Sequence, residues 1–143
     1  MREDYGDRLH NGLKQELITE TKRIMLIDDN LDVGLSFKIV LEYYYESKLK
    51  LDTFTNPLIA LDNFRTELYD LIIIDTVMPD INGFGVYRRL KELDKKVKVC
   101  FLVPGKLYED ATKRLFPEVD DSSFIQIPIA NEALVRKVRE VLR

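Results

Sequence analysis

Apolar runs recur along the chain at regular intervals, and each gap between them is filled by a stretch with helical periodicity. Arg23–Ile27, Leu71–Ile74 and Val97–Val103 are continuous and rich in β-branched residues, the pattern of strands buried on both faces. Ser123–Ile127 is a shorter run of the same kind. Leu49–Phe54 alternates apolar and polar residues, as a half-buried edge strand does. Between the runs, Leu31–Ser47 carries Val33, Phe37, Val40, Leu41 and Tyr44 on one stripe. Asn56-Pro57 opens a second helix that runs to about Leu68, with asparagine as cap and proline in the first turn. Further helices are predicted over Phe84–Leu93, over Leu107–Phe116 before Pro117, and from a capping Asn131 to Leu142. Five strands alternating with five helices predict an α/β sandwich around a parallel sheet with right-handed crossovers.

Composition narrows the class without changing that picture. The chain has 143 residues, 45% of them hydrophobic and 33% charged, which suits one globular domain with a proper core. A net charge of −3 argues against direct binding to the phosphate backbone of nucleic acid. No apolar run is long enough to span a bilayer and no signal peptide opens the chain, so a cytoplasmic location is the simplest expectation. Cys100 lies inside an apolar strand and is expected to be a buried, inert thiol. Tyr43-Tyr44-Tyr45 cannot all face inward on a helix, so at least one is expected at the surface. Residues 1–21 form a polar N-terminal extension ahead of a domain at 22–143. Leu9, Leu13, Leu17 and Ile18 stand at near-helical spacing there, which fits a short amphipathic helix docking on the domain or a partner; a frayed tail fits equally. His10 has no metal-ligating neighbour in sequence and is given no role.

The chemistry lies where the strands end. Asp28 and Asp29 follow the first strand and Asp75 follows the third, and in an open parallel sheet the carboxyl ends of strands are where ligands gather. Asp75 alone would be read as a turn cap. Three carboxylates at neighbouring strand ends repel by about 4 kcal/mol per pair at ~4 Å and an effective dielectric near 20. Such a cluster needs a cation, a proton or a nearby lysine, and oxygen-only ligands suit Mg²⁺. After Asp75, Met78-Pro79-Asp80 and Asn82-Gly83 break the chain before the next helix.

Asp28-Asp29, Asp75, the Met78-Pro79 step and Gly83 at these spacings resemble the receiver domains of two-component response regulators, over roughly Lys22 to Arg143. The resemblance implies the flavodoxin-like (βα)5 three-layer fold, with a parallel five-stranded sheet in the order 2-1-3-4-5. It implies that Asp75 occupies the position that accepts a phosphoryl group from a histidine kinase. Asp28, Asp29, Asp75 and the backbone carbonyl of Val77 would then hold Mg²⁺. Phosphohydrolases of the haloacid dehalogenase type also resemble the strand-end aspartate, but they need a second aspartate two residues on, where this chain has Val77. The chain is therefore not expected to be an enzyme.

Three positions depart from the receiver pattern. Val103 replaces the hydroxyl residue that ends the fourth strand, and Pro104 follows where a backbone N–H is normally donated. Ile127 replaces the lysine of the Lys-Pro step after the fifth strand. Phe124 matches the aromatic that turns inward when the fourth-strand hydroxyl is captured, so this switch has lost its trigger. The expectation is an atypical receiver that signals through protein contacts with phosphorylation weak or absent; the alternative is a conventional phosphoacceptor at Asp75. The partners implied are a sensor kinase or a downstream signalling protein, and a second copy of the chain through the helices Leu107–Phe116 and Asn131–Leu142.

Overall fold

The structure is a computed structural model and describes residues 20–78 and 83–143. Five strands, β1 (Lys22–Ile27), β2 (Leu49–Phe54), β3 (Leu71–Asp75), β4 (Val99–Val103) and β5 (Phe124–Gln126), form one parallel sheet in the order β2-β1-β3-β4-β5. Helices α1 (Leu31–Tyr44), α2 (Pro57–Asn63), α3 (Gly83–Leu93), α4 (Lys106–Leu115) and α5 (Asn131–Leu142) connect and cover it. This is the flavodoxin-like α/β sandwich and strand order expected from the sequence.

Side-chain alternation along the strands divides the core into two layers. Met25, Ile27, Ile72, Ile74, Phe101 and Val103 meet the inner faces of α2, α3 and α4. Ile24, Leu26, Leu71, Ile73, Cys100 and Leu102 meet α1 and α5. Each such aliphatic side chain contributes about 1.5–3 kcal/mol when fully buried. Cys100 has no exposure, and burial pushes its thiol up to about 12, so it behaves as the inert core residue predicted. Of the three tyrosines, Tyr45 is buried and Tyr43 is exposed.

Several boundaries differ from expectation for local reasons. α1 stops at Tyr44 rather than Ser47, because Glu46 and Ser47 take left-handed φ values of 51° and 67°. α2 ends at Asn63 rather than Leu68; Phe64 turns extended and drops into the core, and Arg65 donates to the carbonyls of Asp62 and Phe64. Val97 is buried but lies ahead of β4, its N–H bonded to the Asp94 carbonyl. Asn131 is the first residue of α5 and not its cap; Ala130 stands at the cap position, without a side-chain bond. The Asn56 cap is borne out, its Oδ1 accepting from the N–H groups of Leu58 and Ile59.

Candidate functional site at the carboxyl edge of the sheet

Strand register builds the site. Ile27 pairs with Ile74, so the residues after them, Asp28 and Asp75, emerge side by side on neighbouring strands. Asp75 pairs with Leu102 and Val103 with Gln126, which carries the same edge on to Pro104 and Ile127. β1 is also where the strand order reverses direction, the point at which an open sheet leaves a crevice.

Carboxylate oxygens of Asp28, Asp29 and Asp75 lie within 4.8 Å of one another, with Asp28 buried, Asp29 exposed and Asp75 between the two. Burial is the largest cause that pushes Asp28 up to about 7, and the charges of Asp75 and Asp29 add to it. The N–H of Asn30, 2.9 Å from Asp28 Oδ1, opposes the shift. Asp75 is raised as well, chiefly by burial, against a bond from the Val77 N–H at 3.2 Å. Burial and the neighbouring charges thus both favour the protonated form of Asp28.

The loops are held by local chemistry. Asn30 caps α1 through a bond from the Asp32 N–H to its Oδ1 at 3.0 Å. Gly83 starts α3 directly against β3, where an added Cβ would run into the Asp75 carbonyl oxygen. That close approach is the physical reason for a glycine at this step of the motif. Pro79, Asp80 and Asn82 lie outside the described residues, as do His10 and the leucines of the extension.

The remaining predicted positions are placed as follows. Val103 is completely buried in the α2–α3–α4 layer, and Phe124 lies in the same cluster at 4% exposure. Pro104 is exposed. Ile127 is half-buried and packs with the apolar cluster of the α1/α5 face. Val77 is exposed. Sequence reading missed Thr76, which is buried; its hydroxyl and N–H both donate to the Leu102 carbonyl, at 3.0 and 3.2 Å. Its N–H is thereby engaged in tying β3 to β4.

The fold is a parallel α/β sheet with an acidic cluster at its switch point, and sequence comparison shows the family. The response regulator receiver domain family matches residues 24–139, and the chain belongs to it. It is similar to the probable transcriptional regulatory protein SilR of Salmonella typhimurium, 28% identical over 121 residues that cover 85% of this chain and 51% of that protein. The transcriptional regulatory protein CusR of Escherichia coli K12 is 27% identical over the same share of each chain. The chain thus spans about half the length of these relatives. A CheY-like receiver domain protein from Methanospirillum hungatei superposes with a TM-score of 0.72 over 86% of this chain and 94% of that one, at 23% identity. The non-phosphorylated HemR receiver domain of Leptospira biflexa gives 0.69 over 85% and 94%, also at 23% identity. These likenesses agree with the fold. Receiver domains are signalling modules, and among the described residues no helix is long and apolar enough to cross a membrane.

Proposed function

We propose that residues 22–143 act as an atypical receiver, a protein–protein signalling module of the two-component type in which phosphorylation of Asp75 is weak or absent. One observation carries the reading: the sheet edge that gathers three carboxylates offers no donor from Val103, Pro104 or Ile127. A phosphoryl group on Asp75 would forgo a hydroxyl, a backbone N–H and an ammonium together. Charge-assisted hydrogen bonds contribute roughly 1.5–3 kcal/mol each and neutral ones about half that, so the joint loss is several kcal/mol.

The donor set fits Mg²⁺, which favours oxygen ligands and takes one or two carboxylates readily. Asp28, Asp29, Asp75 and the Val77 carbonyl would hold it, and the ion would offset the charge of an incoming phosphoryl group. Asp28 would give up its proton to the solvent as the ion bound. The ion-friendly cluster also favours the second reading, a conventional acceptor at Asp75 served by a histidine kinase. Partners in either case are proteins met in the cytoplasm, a sensor kinase or a downstream component. A second copy could pair through α4 and α5, whose outer faces carry mixed charge.

Intact-mass analysis after incubation with acetyl phosphate and Mg²⁺ separates the two readings. The expected result is little or no adduct. A stoichiometric adduct that vanishes in Asp75→Asn would overturn the proposal and establish the second reading.

A further inference from the structure

The two flanks of α4 differ in character. On one, Lys106, Glu109 and Lys113 interlock with Asp110, Asp121 and Gln126, which ties the helix to β5 and to the turn before it. On the other, Leu107, Tyr108 and Leu115 are exposed at 83%, 51% and 58%, with Ala111 exposed between them. Residues 107, 111 and 115 stand four apart and form one stripe, which Tyr108 widens. Apolar side chains scattered singly over a surface are ordinary, but a contiguous set on one helix face marks a contact site.

The stripe borders a cleft of about 600 Å³ between the C-terminal ends of α3 and α4, lined by Leu115 and by the rings of Tyr87 and Phe116. Its charged rim is lopsided. The two acids there are already engaged: Glu118 accepts from the Tyr87 hydroxyl at 3.2 Å, and Glu92 pairs with Arg89 at 3.6 Å. Arg88 and Lys95 on the rim, and Arg114 beside Leu115, pair with no carboxylate among the described residues. Arg88 lies instead over the Phe116 ring, 5.0 Å from its centre. An uncompensated positive rim beside an apolar stripe, on a chain whose net charge is −3, is complementary to a ligand that is apolar and acidic at once.

We propose that the α3–α4 groove docks an acidic amphipathic helix of a partner protein, its apolar anchors on Leu107, Ala111 and Leu115 and its carboxylates on Arg88, Lys95 and Arg114. An amphipathic helix laid into an apolar groove is a recurring mode of recognition. A second copy of the chain fits poorly, because a two-fold interface would set the same positive rim against itself. Nucleic acid would meet the positive rim and leave the apolar stripe uncovered. The inference rests on the signalling-module reading and deepens it by giving the partner's chemistry. Adduct mass and helix binding are separate readouts, so either reading can fail alone.

Fluorescence anisotropy on the full chain tests it, with labelled peptides of about 18 residues, long enough to hold a helix in water. One peptide carries leucine at alternating three- and four-residue spacing flanked by glutamate, and the other has lysine in place of every glutamate. The glutamate peptide should bind, and the lysine peptide should bind about tenfold or more weakly, although a net charge of −3 alone would favour it. Leu107→Ser with Leu115→Ser, both at exposed positions, should weaken the glutamate peptide by about tenfold and leave Tm unchanged. Arg88→Gln with Arg114→Gln should weaken it and flatten its salt dependence. Equal binding of the two peptides, no binding of the glutamate peptide, or indifference to the leucine pair would each overturn the proposal. Tighter binding of a DNA duplex would assign the rim to nucleic acid and overturn it. A dimer in sedimentation that the leucine pair abolishes would assign the groove to a second copy and overturn it too.

Discussion

The Nζ of Lys113 on α4 lies 5.7 Å from the centre of the Phe124 ring on β5. The same ammonium pairs with Asp121 and sits 3.5 Å from Glu109, whose other carboxylate oxygen accepts from Gln126 Nε2 at 3.1 Å. Beneath the ring, Phe101 stacks at 6.0 Å and 28°. Phe124 is thus held inward by packing below and a charged clasp above, in the same buried cluster as Val103.

Phe124→Ala should therefore behave as a core deletion. It removes an aromatic with 4% exposure from a continuous ring cluster, and a loss of about 3–5 kcal/mol is expected in urea unfolding. Lys113→Gln should cost much less and show mainly as faster hydrogen exchange at the α4–β5 contact. Equal losses for the two variants would mean that the clasp, not the packing, holds the ring.

Protonation of the acidic cluster sets a pH dependence with a definite sign. Asp28 keeps its proton to about 7 in the folded chain but gives it up near the ordinary 3.8 when unfolded. Across that interval the native state binds more protons, so its contribution to stability is complete below about pH 4 and is lost as pH rises through 7. Mg²⁺ must displace the same proton, so millimolar Mg²⁺ should raise Tm more at pH 8 than at pH 6. Asp28→Asn should flatten the apo pH profile and abolish the Mg²⁺ effect. An equal Tm shift at both pH values would remove the proton from the account.

Much of this was written in the pattern of the chain. Buried runs such as Leu71–Ile74 announce a parallel sheet because both faces are covered, and the carboxylates that follow them have nowhere to go but the sheet's edge. Helix ends were less legible. Glu46 and Ser47 break α1 through backbone angles that their residue types do not demand, and Phe64 leaves α2 because burial outweighs helical continuity. The α4–β5 clasp had only the Glu109/Lys113 spacing as a signal, since Gln126 and Asp121 meet that pair through tertiary contact. Thr76 was invisible for a related reason: a threonine after a strand says nothing of which carbonyl it will bond.

Gly83 offers a test of how tightly the site is built. An alanine there would set its methyl against the backbone carbonyl of Asp75, an atom that no rotamer change can move. Gly83→Ala should destabilise the fold by about 1–3 kcal/mol and weaken Mg²⁺ binding by displacing the end of β3. Calorimetric titration checks the second effect. Unchanged metal affinity would separate the α3 contact from the geometry of the carboxylates.

The last prediction concerns the three departures together. If Val103, Pro104 and Ile127 disable the site, restoring donors should enable it, because the carboxylates of Asp28, Asp29 and Asp75 already stand within 4.8 Å of one another. Val103→Thr, Pro104→Ala and Ile127→Lys in one chain should gain both a phosphoryl adduct from acetyl phosphate and beryllofluoride binding, and adding Asp75→Asn should abolish the gain. Single changes should recover less, since three donors acting on one small group do not contribute independently. Ile127→Lys should matter most: it brings the one full positive charge, and its stem can follow the path of a side chain that already packs on the α1/α5 face. It should also stabilise the apo fold by relieving the carboxylates, so stability and phosphorylation are measured separately. Val103→Thr should do the opposite, because it places a hydroxyl at a position with no exposure, costing about 1–3 kcal/mol until a ligand accepts from or donates to it. A triple variant that stays folded yet forms no adduct would show that the defect lies elsewhere, with Thr76, whose N–H is committed to Leu102, as the next position to examine.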